Sequence, residues 1–501
     1  MESSGNIFLD CTNLQQMQEN DGGVNATINI MQCVSDTYQD AQESREASLR
    51  SFLLLICGGM IFFMQSGFAM MCAGSVRLKN VQNTMLKNLL DACGAALAFY
   101  LVGTSQHDIG NENCRIGLSR FASVLTFFRL FSLCFYRSYQ SLGYAFAFGG
   151  DLANPNASSR KTFIGYEDFV SVGPNAAFWF FEYTFSATSV TIVAGTLAER
   201  CQMVAYLAYS VVLAGFIYPV VAHSVWSQSG FLSRTNDDRL LDMGALDFAG
   251  AGVVHLNGGL IALYATLVLG PRRGRFYDAQ GEPLATPRPF PGHSVALQLL
   301  GTMILWFGWF GFNPGSALLL EEDGEKFGLV AANAAVATAL SGATGGICAL
   351  FTQLWWEERM TGEPKFVIQM AMNGALSGLV AVTSGCAFME PYAAIITGLV
   401  AGWLYMLSSA LLVKLRIDDA VNAIPVHMVN GLWGLLATGL FASPRLLDLT
   451  YGESDHPGFF YSFRNGGADA NLLACQICAS LFIFGWTFIT MFPFFIWLNY
   501  K

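Results

Sequence analysis

The sequence predicts an all-α polytopic membrane protein, and three observations carry that prediction. Of 501 residues, 53% are hydrophobic and only 12% are charged. Soluble domains hold about 25% charged residues, so these few cannot clothe a soluble globule of this size. The apolar residues also come in runs of about 20, the length that crosses a bilayer as a helix. The third observation is a repeated polar pattern. Asp247–His255 (DFAGAGVVH) and Asp419–His427 (DAVNAIPVH) each place an acid eight positions before a histidine. Each histidine then opens onto an apolar, glycine-rich run. An imidazole inside such a run is costly and needs a partner or a purpose. Two segments on one plan suggest two halves of a single site.

Residues 1–50 read as a polar, acidic extracellular arm without a signal peptide, moved across by the first membrane helix. Within it, Cys11 and Cys33 can pair if the arm faces an oxidising compartment. About eleven spans follow. In order they are Ser51–Gly74, Thr84–Gly103, Pro174–Ala198, Met203–Trp226, Phe248–Gly270, Ser294–Asn313, Phe327–Leu354, Phe366–Cys386, Pro391–Val413, Val426–Phe441 and Leu472–Tyr500. Basic residues at Arg77–Lys79, Arg200, Arg272–Arg288, Arg359–Lys365 and Lys414–Arg416 fall in alternate short loops and mark the cytoplasmic side. The N-terminus is then outside and Lys501 inside. Arg234, Arg239, Arg445 and Arg464 in the outer loops weaken that contrast. Two glycosylation sequons, at Asn25 and Asn156, fall on the outside.

Five spans end in the first Asp…His segment and five more in the second. Because five spans carry the chain to the opposite face, the second half is inverted relative to the first. The domain 51–500 thus divides into repeat one (51–270), repeat two (293–441) and a last helix (471–500). The 51 glycines allow close helix contact. Residues 104–143 do not fit: FASVLTFFRLFSLCFYR is short and carries Arg129 in mid-run. The segment reads as an atypical insertion, a translated intron or other gene-model artefact. The net charge of −10 excludes nucleic acid as an expected partner. The 12 cysteines lie mostly in apolar segments, which argues against a zinc site or redox dithiol.

The motifs GFAMMCAGSVRLKN, AGTLAER, YPVVAHSVW, ALDFAGAGVVHLNGG, WFGWFGFNPGSA and DDAVNAIPVHMVNGLWG carry a resemblance. In them the chain resembles the ammonium transporter family (Amt/Mep/Rh), in its eukaryotic AMT1-like branch. The resemblance implies a plasma-membrane homotrimer with one pore per subunit, lined by His255 and His427. It assigns Trp226, Phe185, Ser316 and Asp247 to cation recruitment at the outer mouth, and Phe185 with Phe312 to a hydrophobic gate. It gives Asp419 a structural part on the cytoplasmic side. Asn422 replaces an Asp that many relatives carry, and Glu182 stands where relatives often have a neutral amide. Relatives usually continue past the last helix with a cytosolic tail, whereas this sequence stops at Lys501.

The chemistry agrees with those assignments. Two neutral imidazoles share one proton between facing nitrogens. A narrow apolar duct rejects ions that must stay charged. Ammonium can shed a proton and pass as ammonia, whereas potassium and sodium have no such option. An aromatic face attracts the arriving cation by about 0.5–2 kcal/mol. The expected function is therefore ammonium/ammonia transport across the lipid bilayer, not enzymatic, with no cofactor. Two other readings are an ammonium sensor with little flux and an inactive product of a faulty gene model. A metalloenzyme using both histidines lacks a third ligand and HExxH spacing.

Overall fold

A computed structural model describes residues 23–100, 143–148, 159, 161–165, 176–320, 324–464 and 466–500. The helices are α1 (Gly23–Ser75), α2 (Val81–Tyr100), α3 (Gly143–Phe148), α4 (Ala176–Thr196), α5 (Met203–Val212) and α6 (Tyr218–Trp226). They continue with α7 (Asn257–Leu269), α8 (Val295–Phe312), α9 (Gly324–Thr361), α10 (Ile368–Val382), α11 (Pro391–Lys414) and α12 (Asn430–Phe441). Three more, α13 (Pro444–Tyr451), α14 (Phe459–Arg464) and α15 (Asn471–Tyr500), end the chain. Among the described residues, β-structure is confined to isolated bridges such as Thr162 with Gly230. Each expected span overlaps a helix, and among the described residues eight helical stretches are long and apolar enough to cross a membrane. Residues 104–142, Cys11 and Asn156 lie outside the described residues.

The chain divides into two compact units, Met1–Leu55 and Ile56–Lys501. The first is helical from Gly23, well before the expected start at Ser51. Its sequence is rich in Gln, Glu and Ala, which favour helix, and it closes local bonds such as Gln42 Nε2 to Glu46 Oε1 at 3.0 Å. Cys33 is disulfide-bonded.

In the second unit, helix ends follow local chemistry. Ser294 caps α8, accepting the Leu297 N–H at 3.3 Å. Pro391 opens α11, and Gly270 (φ +70°) closes α7. α9, α10 and α11 pack through small residues. A Cβ on Gly374 would sit 2.6 Å from the Gly345 carbonyl oxygen, a spacing only glycine permits. Cys475 and Cys478 share C-x-x-C spacing, yet both thiols are free, one buried and one exposed on α15.

Charge gathers in separate clusters. Arg77, Arg200, Arg272 and Arg275 converge on Glu199 and Asp418, with Arg272 Nε 2.8 Å from Asp418 Oδ2. These four arginines come from three loops expected on one side of the membrane. Burial pushes Glu199 up, but the Arg77 hydrogen bonds and the nearby Arg272 outweigh it and hold its pKa at about 2. Arg234 and Arg239 close on Glu453, and Arg445 on Glu390 at 3.0 Å. These contacts tie three of the arginines that blurred the charge contrast to two carboxylates.

Candidate functional site

Both repeated histidines ride on a π-helical turn, His255 in Ala251–Leu256 and His427 in Ile424–Val429. Such turns are rare and gather at functional sites. The acid eight positions earlier explains how each turn starts. Asp247 Oδ2 accepts the N–H groups of Gly252 and Val253, both at 2.9 Å. Asp419 Oδ2 accepts that of Ile424 at 2.7 Å, and its Oδ1 that of Val421 at 3.2 Å. Each carboxylate satisfies amides that a helix start leaves open. Three residues past each acid the chain turns left-handed, at Gly250 (φ +96°) and Asn422 (φ +60°). Glycine adopts this freely and asparagine tolerates it. The spacing alone would set Asp247 on the helix two turns before His255, but it precedes that helix, because Gly250 breaks the segment expected to begin at Phe248.

The halves then lock by a reciprocal contact. Gly259 lies four residues after His255, and a Cβ there would strike the backbone nitrogen of Met428. Gly431 lies four residues after His427, and a Cβ there would sit 2.7 Å from the backbone nitrogen of Leu256. Each glycine admits the residue next to the other histidine. The rings are thereby brought together, with His255 Nδ1 and His427 Nδ1 3.2 Å apart. Both are buried, at 0% and 3% exposure.

Above and below the pair runs a column of rings. Trp226 meets Phe185 edge-on at 5.8 Å, and Phe185 lies 4.1 Å from Phe312. Phe312 stacks on His255 at 5.6 Å, His255 on His427 at 5.2 Å, and Phe68 follows at 6.2 Å. The sequence reading missed Phe68 and Trp309, which flanks His255 at 5.3 Å. Trp309 lies three residues before Phe312 in WFGWFGFN, so helical spacing from Phe312 was the available signal.

The other expected residues surround this column. Trp226 is half-buried, and its Nε1 donates to the Asp247 carbonyl at 2.7 Å. Ser316 donates its hydroxyl to the Phe312 carbonyl at 2.8 Å, which leaves its lone pairs to accept. Glu182 stands on α4 three residues before Phe185, 1% exposed. Asn422 accepts from Ser409 Oγ at 3.0 Å. Asp419 stands apart from the column, and beside it Asp418, which the sequence reading passed over, binds the arginines.

Fold and site together define a multi-span helical membrane protein with a buried histidine pair under an aromatic stack. The chain belongs to the Ammonium Transporter Family, whose model matches residues 52–112 and 115–500. It is 38% identical over 430 residues to rice "Ammonium transporter 1 member 1", covering 85% of this chain and 75% of the relative. It is 36% identical over 473 residues to "Ammonium transporter Amt2" of Archaeoglobus fulgidus, covering 92% and 84%. Among solved structures it resembles a "Sensor Amt Protein" with TM-score 0.68 and 27% identity, covering 91% of this chain and 95% of that one. Candida albicans Mep2 shares the fold at TM-score 0.66 and 24% identity, covering 89% and 85%.

Proposed function

We propose that this ammonium transporter family member collects ammonium between Trp226, Phe185 and Ser316 and passes ammonia along the His255–His427 pair. The observation that carries the reading is the 3.2 Å Nδ1–Nδ1 contact, buried within a ring column. One proton between those nitrogens fixes the tautomers. The ring that donates through Nδ1 leaves a bare Nε2, and its partner carries a proton on Nε2. The duct then offers one acceptor and one donor, a pattern ammonia satisfies and a bare alkali cation does not. Phe185 and Phe312 act as the gate that a hydrated ion cannot pass. Asp247 shapes the outer mouth through its cap and its carbonyl contact to Trp226, and Asp419 does the same for the inner turn.

The same reading takes domain 51–500 as eleven spans, with repeats 51–270 and 293–441 inverted about the histidine pair and the last helix 471–500 outside them. The reciprocal glycine contacts support it, since each half repeats the other's close approach. The basic cluster around Glu199 and Asp418 then faces the cytoplasm, and the arm 1–50, with its sequon at Asn25, faces outward. We place the protein in the plasma membrane as a homotrimer, with a pore inside each subunit, as the family resemblance implies.

Purified protein in vesicles tests this. An inward ammonium gradient should drive flux that potassium does not reproduce, and His255→Ala or His427→Ala should abolish the flux or let potassium through. Normal, potassium-excluding flux in both variants would overturn the filter. Absence of flux in the unaltered protein would favour a sensor.

A further inference from the structure

Ammonia can enter the duct only if an N–H bond of ammonium breaks first, so the proton needs an acceptor near the gate. The rings on the outer side of Phe312 offer none, and His255 lies behind that ring. The Ser316 hydroxyl can accept a hydrogen bond but is too weak a base to hold a proton, the Trp226 N–H only donates, and Asp247 Oδ2 is taken by two amides. One turn before Phe185, Glu182 is buried at 1% exposure, and among the described residues its Oε2 has no hydrogen-bond partner. It also forms no ion pair among the described residues. An uncompensated carboxylate in such a place is costly and marks a site that a cation or a proton completes.

Its surroundings extend the case. Ser186 Oγ, one turn further along α4, the Tyr218 hydroxyl on α6 and Asp247 Oδ1 are likewise buried without partners among the described residues. Tyr218 lies within electrostatic range of both Glu182 and Asp247. From α3, Tyr144 packs on Phe178, four residues before Glu182, at 6.1 Å.

Resting on the transport reading, we infer that Glu182 accepts the proton that ammonium releases at the gate, with Tyr218 and Asp247 as its onward path. The N–H bond electrons stay on nitrogen, giving ammonia, and the proton forms an O–H bond at Glu182 Oε2. Because no direct hydrogen bond joins these oxygens, a water entering from the mouth carries the proton to the Tyr218 oxygen, which gives up its own through a second water to Asp247 Oδ1. This oxygen relay runs beside the ring column and keeps proton and ammonia on separate paths.

The test is ammonium-driven flux into vesicles, read both as current and with an internal pH dye, across pH 5 to 8. Glu182→Gln keeps the shape and removes the acceptor. Flux should fall at least tenfold with its half-saturating ammonium concentration changed less than threefold, and Glu182→Asp should restore part of it. Tyr218→Phe should lower flux about threefold. A Glu182→Gln protein with unchanged flux and pH profile overturns the inference. If that variant does not fold, unchanged flux in Tyr218→Phe overturns the relay in its place. The unaltered protein separates the two failures, because no flux there sinks the transport reading, whereas equal flux in it and in Glu182→Gln sinks only this inference.

Discussion

The segments around His255 and His427 obey one local rule in two different settings. Each has a carboxylate cap, a left-handed residue three positions on, a π-helical turn and a glycine four residues past the histidine. The Asp247 carbonyl holds Trp226, and its Oδ1 is buried without a hydrogen-bond partner among the described residues. Next to Asp419 stands Asp418, bound to three arginines. The same backbone device therefore serves an aromatic end and an end bolted by ion pairs. Symmetry of the chain trace need not bring symmetry of electrostatics, because the trace is set by a few backbone-directed contacts and the field by whichever side chains the loops deliver.

The shared rule breaks most severely at the glycines. Gly259→Ala should be the most damaging of these changes, since its new methyl meets backbone that cannot move aside, and Gly431→Ala should follow. Overpacking of this kind costs about 1–3 kcal/mol, and thermal unfolding in detergent should show Gly259→Ala melting lower. Equal, wild-type melting of both would break the claim of a reciprocal lock.

The caps come next. Removing such a cap costs about 0.5–2 kcal/mol, so Asp247→Ala and Asp419→Ala should both lower the melting temperature. Only Asp247→Ala should also lower flux beyond its loss of folded protein, because losing the cap frees the turn whose main-chain carbonyl holds Trp226. Matching flux losses per folded molecule would erase the contrast between the two ends.

The left-handed residues give a smaller, asymmetric pair. Gly250→Ala forces a left-handed conformation costing about 1–2 kcal/mol and presses on Trp226 and Val254. Asn422→Gly should stay within about 0.5 kcal/mol of the parent, since glycine accepts that conformation. A melting curve decides both.

The smallest effect concerns the bolted end and pH. Glu199 has a pKa lowered from 4.5 to about 2. A lowered carboxylate stabilises the fold fully above its unfolded value, and that contribution fades as pH falls from about 4.5 through about 2. Glu199→Gln should lower the melting temperature at pH 6 to 8 and converge on the parent only as pH falls to about 2. A constant difference across that range would remove Glu199 as the source.

How much was legible follows from the range of each interaction. The spans were readable because burial in lipid demands long apolar runs, and the histidine pair because two costly polar groups repeated one frame. Asp247 was misplaced on its helix, since a left-handed Gly250 leaves no mark in hydropathy. Trp309 and Phe68 hid among the 41 phenylalanines and 10 tryptophans of an aromatic-rich chain. Asp418 was overlooked beside its neighbour because its arginines come from positions 146 and 218 residues away.

The sequence by itself determined that this protein crosses a membrane many times and that two of its segments share one frame, because hydropathy and an eight-residue Asp…His spacing are local properties. Only the tertiary structure decided that the two histidines meet at 3.2 Å, that one acid's carbonyl holds Trp226 while the other acid sits beside an arginine cluster, and that Glu182 Oε2 is buried without a partner among the described residues. Those facts depend on which helix backbones can approach, and that is set by where a missing Cβ on each side lets the other half in.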